Sequence, residues 1–233
     1  MYIGPNASVS DRAVILDDAK ASDVSRVYGN ACVFAEAEVM MAAHVYGDAR
    51  VYGNAVVSGR AHVYGGSAMS GNADMSGNAK LHGRAKVCGN ACVYGSADIS
   101  GHAVVNDNAI VCDLAVVAGY ATIGGKTRVS GNAKIHGRVT LKGVAYIGVD
   151  ADVFQDDHVI TLDGIFHEKV TVYRAQHGIA RVQAGCQNFR LDTSPEDLKD
   201  LADDQGWLLP GGWQMLRDAL LAVSAGWAND VAE

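Results

Sequence analysis

The sequence predicts a mainly β chain, a parallel β-helix over residues 1–153 followed by a small α+β cap over residues 154–233, and three observations carry that prediction. Stepping by six from Ile3 to Val153 meets 26 positions, and every one except Ala21 is Val, Ile, Leu or Met. Stepping by six from Ala7 to Ala151 meets 25 positions, of which 21 are alanine and the rest are Ser25, Ser67, Thr127 and Val139. Beyond Val153 the period fades.

The repeating unit is aliphatic, variable, often Gly, often Asn, Arg or Asp, then Ala and a second variable residue, as in Val51-Tyr52-Gly53-Asn54-Ala55-Val56. Ala, variable and aliphatic alternate in, out, in, which is the period-two pattern of a short strand. The aliphatic fills the interior, and the alanine sits where the narrowing interior admits only a small side chain. The Gly-Asn pair forms a corner in which one residue takes φ > 0, the conformation these two adopt at least cost. Six residues are too few for a helical repeat, and a hairpin array spaces its turns about 8–12 residues apart. Six fits one side of a coil whose strands stack parallel on neighbouring coils.

These V-x-G-N-A-x copies resemble the hexapeptide-repeat proteins, a resemblance that spans about two thirds of the chain. It implies a left-handed parallel β-helix of about eight triangular coils, three hexads to a coil of 18 residues. At a strand spacing of about 4.8 Å the prism is about 40 Å long.

In the last third, residues 158–162, 169–174 and 179–184 read as strands, the latter two joined as a hairpin through Gln176-His177-Gly178. Thr193-Ser194-Pro195-Glu196-Asp197 carries the hydroxyl cap, first-turn proline and acids of a helix start. That helix is expected to end near Gly206. A second is expected from Gly212 to Ala228, with Trp213, Leu216, Leu220, Val223 and Trp227 on one face. The expected role is to cover the open end of the solenoid, whose unpaired N–H and C=O groups invite polymerisation. Residues 171–191 are similar to the tails of phage and prophage hexapeptide-repeat proteins.

Composition narrows the function classes. A net charge of −7 with no basic run argues against nucleic acid. No apolar run reaches the 18 residues of a membrane span, and MYIGPNASVS lacks the blocks of a signal peptide. The five cysteines are expected as reduced thiols of a cytoplasmic protein.

The 18-residue coil sorts the outward residues into three faces, two columns on each. The first carries Arg26, His44, His62, Lys80, Asp98, Val116 and Lys134 beside Tyr28, Tyr46, Tyr64, His82, Ser100, Ala118 and His136. Tyr28, His44, Tyr46, His62, Tyr64, Lys80 and His82 therefore form one patch, readable as a stabilising ladder, an oligomer interface or a ligand groove. The second face includes Cys32, Phe34, Tyr52 and Cys88, and the third an outward apolar group of Cys92, Tyr94, Ile110 and Cys112.

Hexapeptide-repeat acyltransferases are trimers with a histidine general base in an inter-subunit groove that holds coenzyme A. On that resemblance His44, His62, His82 and His136 are the candidate bases. Against it, no inserted loop breaks the register to wall a groove. Relatives with carbonic anhydrase activity use a G-H-x-x-x-x-H zinc pair that is missing here, so no metal is expected. Cys88 and Cys92 fall on different faces, and Cys186 reads as a small hydrophobe rather than a nucleophile. The leading expectation is a non-catalytic homotrimeric scaffold or binding protein of phage type, with a protein partner and no cofactor. The alternative is a coenzyme A-dependent acyltransferase, and a third reading is an acidic decoy that binds a host protein.

Overall fold

The computed structural model describes residues 1–162, 169–184, 187–192, 218 and 220–230. Strands of two residues recur every six positions from Tyr2–Ile3 to Asp152–Val153, with no loop excursion between them. They assemble into three parallel sheets of nine, nine and eight strands in which each strand pairs with those three positions before and after it. The register is 18 throughout, as in His44↔His62 and Val45↔Val63. The result is a parallel β-solenoid of about eight turns whose first, second and third faces are those expected.

Every aliphatic of the series from Val27 to Val153 is buried, as are the alanines from Ala19 to Ala151. Burying one such aliphatic side chain contributes about 1.5–3 kcal/mol. Ile3, by contrast, is 43% exposed, because only one neighbouring coil packs on it. The polar substitutes in the alanine column are buried too. Ser67 Oγ donates to the Tyr64 carbonyl at 2.8 Å, whereas Ser25 Oγ and Thr127 Oγ1 have no partner among the described residues.

From Asp11 to Gly143 the first corner residue alone takes φ > 0, usually Gly, with Asp, Ala or Met at a minority; at the last corner, Val149-Asp150, it is the second. Where it is Asp, the carboxylate is put to use. Asp11, Asp17, Asp23, Asp107 and Asp113 each accept a hydrogen bond from the amide 18 residues on, at 2.8–3.1 Å. The asparagine after the first corner residue keeps ordinary φ and serves differently. Asn54, Asn72, Asn90 and Asn108 form an amide ladder with Nδ2 to Oδ1 distances of 3.0, 3.0 and 3.2 Å.

The cap is a four-stranded antiparallel sheet, Val159–Leu162, Val170–Arg174, Ala180–Ala184 and Gln187–Arg190. The first three match the sequence reading. The fourth is an addition, since its QNFR alternates too weakly to signal a strand and is fixed by pairing with Ala180–Ala184. The hairpin lies at Gln176–Gly178, with His177 at φ 61°. Tyr173 and Ala175 pack into the end of the solenoid core. The cap also supplies acceptors to the last coil. Thr171 Oγ1 takes the Tyr146 amide at 3.0 Å and Asp156 Oδ1 the Thr140 amide at 2.6 Å.

Of the second expected helix, residues 218 and 220–224 are described as helical and run into a 3-10 turn at Ala225–Ala228. Leu220 and Trp227 are buried as expected, but Val223 is 62% exposed and Ser224 takes the inward place. The spacing of four and three from Leu220 to Ser224 to Trp227 sets the face and leaves Val223 outside it. Trp213, Leu216, the helix expected from Thr193 to Gly206 and Cys186 lie outside the described residues. Among the described residues no helix is long and apolar enough to cross a membrane.

The corner geometry generates a test. Gly77 sits at φ 70°, and a Cβ there would lie 2.6 Å from the Gly95 carbonyl oxygen. Gly77→Ala is expected to destabilise by about 1–3 kcal/mol, seen as a lower urea midpoint. Gly77→Asp should lose less, because its carboxylate can accept the Gly95 amide as Asp113 accepts the Gly131 amide. Equal losses would contradict this account of the corner.

Candidate functional site

A spacing of one strand fixes how outward rings on one face meet, since register brings residue i against i+18 at about 4.8 Å. On the first face Tyr28, Tyr46, Tyr64 and His82 stack with centroid separations of 4.8, 4.9 and 4.9 Å and interplanar angles of 5° or less. In the neighbouring column His44 stacks on His62 at 4.9 Å. The columns interlock edge to face, Tyr28 with His44 at 6.2 Å and Tyr46 with His62 at 6.1 Å. Lys80 follows His62 in register and is exposed. All seven residues of the expected patch thus form one ridge. Each ring contact of this kind contributes about 0.5–1.5 kcal/mol. A shorter stack, Phe34 on Tyr52 at 5.0 Å, lies on the second face.

The ridge is electrically uneven. Burial, and then neighbouring His62 and Arg26, hold the His44 imidazole below its ordinary value. Burial and Lys80 do the same to His62. Burial pushes the Tyr46 phenol up, helped by Tyr28 and Tyr64, and pushes Tyr64 up with help from Asp98. Two neutral imidazoles therefore sit between a guanidinium and an ammonium at neutral pH.

The other two candidate histidines differ in kind. His82 Nε2 meets Asp98 Oδ1 at 2.9 Å, and His136 Nε2 meets Asp152 Oδ1 at 3.0 Å. In both pairs the carboxylate stands 16 residues on, the diagonal neighbour on the next coil. His136 is three coils from His82 and outside the ridge. Asp152 is held in turn by Arg174, whose Nη1 lies 2.9 Å from Asp152 Oδ2. Burial pushes the Asp152 carboxyl up, but the hydrogen bonds from His136 and Arg174 outweigh it and leave it below the usual carboxylate range.

Arg174 is the hub of the cap. Its Nε donates to the Trp227 carbonyl at 3.0 Å, and its Nη2 to the Asp230 carbonyl at 3.1 Å. Its guanidinium carbon lies 4.7 Å from the Phe154 ring centre. Fully buried His158 accepts the Phe154 amide at Nδ1 (3.3 Å) and meets Asp230 Oδ2 through Nε2 at 2.9 Å. Sequence reading missed this network because its members lie between 136 and 230 without a repeat to relate them. It could have found the diagonal His–Asp pairs by adding 16 to each outward histidine.

No three metal-ligating side chains converge among the described residues. The apolar group on the third face needs correction. Cys112 is buried, with Arg128 Nη2 3.5 Å from its Sγ, so it offers no outward thiol. Burial raises the Cys88, Cys92 and Cys112 thiols, which disfavours the reactive thiolate.

The ridge makes a pH prediction. His44 and His62 titrate below 6.5 in the folded protein, so the unfolded chain binds more protons as the pH falls through that value. Stability present above pH 6.5 is therefore lost on acidification. The urea midpoint should drop between about pH 7 and pH 5, and the double variant His44→Gln, His62→Gln should drop less. An equal drop in the variant would assign the loss to other groups.

The sequence matches no family model and no curated protein. Among solved structures the chain is similar to the crystal structure of a "putative acetyltransferase" from Bacillus cereus, at 10% identity and a TM-score of 0.34. The alignment covers 98% of this chain and 97% of that one. A likeness at this identity and score carries no inference about activity.

Proposed function

We propose that this chain is a self-associating binding scaffold that uses the first-face ridge as its contact surface. One observation carries the reading. The ring stack from Tyr28 to His82 is continuous, half-exposed and already ordered by its own stacking. Docking rings that are fixed beforehand loses little side-chain entropy, and half-exposed rings have apolar area left to bury. A stacked column on a straight sheet is flat, and a flat surface is matched by another flat surface better than by a small molecule. The expected assembly is a homotrimer with parallel axes, in line with the hexapeptide-repeat resemblance. The phage-type kinship rests on the resemblance of residues 171–191.

A second reading is acyl transfer from coenzyme A, favoured by the two His–Asp pairs. A carboxylate on one ring nitrogen orients an imidazole and stabilises its protonated form, which suits a general base. Saturable acetyl-coenzyme A binding, with turnover abolished by His82→Ala or His136→Ala, would establish that reading.

Sedimentation should give about three times the 24.4 kDa chain mass at micromolar concentration. The pair Tyr46→Asp, Tyr64→Asp should dissociate the assembly, because it would bury unpaired charge. Tyr52→Asp, on the second face, should leave it intact. A wild-type monomer, or an assembly indifferent to the Tyr46 and Tyr64 changes, would remove the proposal.

A further inference from the structure

The place where the solenoid ends leaves a cleft that the ridge does not use. In the corner column from Arg12 to Tyr120, the amide after each first corner residue donates to the first corner residue's carbonyl one coil on. Examples are Arg12 N to Gly29 O at 2.8 Å and Tyr120 N to Gly137 O at 2.7 Å. The next member is the Arg138 amide, and among the described residues it has no acceptor. The reason is local: after Phe154 and Gln155 the chain enters the 3-10 turn Asp156–His158 instead of making another corner. A notch of about 680 Å³ remains, lined by Gly119, Tyr120, His136, Gly137, Arg138 and Phe154 among others.

Its walls are fixed from behind. Tyr120 stacks on His102 at 4.8 Å. His136 is held by Asp152, and Phe154 by Arg174 on its ring and by His158 edge to face at 4.6 Å. Phe154 and His136 lie 5.3 Å apart and tilted by 32°, while Gly119 and Gly137 present bare backbone. The Asp152 carboxylate behind His136 is matched by Arg174 and does not dominate the cleft's charge. The Arg138 guanidinium carbon lies 5.5 Å from the Tyr120 ring centre, and no carboxylate pairs with it among the described residues.

The geometry points to a binding site for a planar ring bearing one anionic group, a carboxylate or a phosphate. The anion accepts hydrogen bonds from the Arg138 amide and guanidinium, replacing the carbonyl that a further coil would have supplied. The ring packs edge-on against the solvent-facing rims of Phe154, His136 and Tyr120, whose faces are taken by Arg174, by each other, and by His102 and Arg138. A bare anion would leave the ring walls uncovered, and a neutral ring would leave the amide and the guanidinium unmatched.

Calorimetry on the full chain with four probes tests this. Benzoate and phenyl phosphate carry ring and anion, and comparing them separates carboxylate from phosphate. Benzyl alcohol carries the ring alone and inorganic phosphate the anion alone. At least one of the first two should saturate below about 10 mM, with both controls at least about tenfold weaker. Arg138→Gln, an exposed change, should weaken binding at least about tenfold with an unaltered circular dichroism spectrum. Arg60→Gln, at a corner outside this cleft, should change nothing. The site is refuted if neither ring anion saturates, if benzyl alcohol binds as tightly as they do, or if Arg138→Gln binds as wild type does.

Discussion

One constraint governs this molecule: each coil lies one strand spacing from the next, in an unbroken register of 18 residues. Every side chain then has a near copy of its own position above and below it. Inside, this turns one residue choice into a column, and the column must pack at every level. Valine and isoleucine serve because their branched bodies fill a repeated slot in one rotamer, and alanine serves where the slot is narrow. Outside, the same repetition turns a lone tyrosine into a stack and a lone asparagine into an amide ladder. The interactions that matter are those a residue can make with its own kind.

This explains why the solenoid was legible. Two series at period six state the buried positions directly, and adding 18 gives the pairing partner of any outward residue. The stack of Tyr28, Tyr46 and Tyr64 and the adjacency of His44 and His62 follow from that addition alone. Diagonal contacts such as His82 to Asp98 needed a second rule, because they join the two outward columns of adjacent coils. The corner residues were a blind spot. Read only as turn formers, they also project outward, and His102, Tyr120 and Arg138, themselves 18 residues apart, went unread because the corner columns were left out of that addition. Beyond Val153 no repeat relates distant residues. Arg174 meeting Asp152, Trp227 and Asp230 is a product of tertiary packing that no spacing announces.

The end of the solenoid shows how a sheet edge is closed without another sheet in register. The cap does not continue the coil. It lays Tyr173 and Ala175 on the core and offers side-chain acceptors to amides that have run out of carbonyls, Thr171 to Tyr146 and Asp156 to Thr140. Such closure blunts an edge that would otherwise recruit another chain. It is also why aromatic, basic and histidine side chains crowd that end, since closing an irregular edge takes varied donors and acceptors where the regular coils need few.

The carboxylates at the left-handed corners bear on how such a chain reaches its final form. Asp11, Asp17, Asp23, Asp107 and Asp113 each reach forward to the amide of the coil that follows. Each contact spans 18 residues, so the loop-closure entropy is the same small toll at every level. Growth then resembles a zipper, with one closed turn templating the next and no long-range search. The aspartates stand at two stretches, one among the first coils and one past the middle, and there a charged acceptor ties each coil to the next. They fasten the prism across its seams at those two stretches.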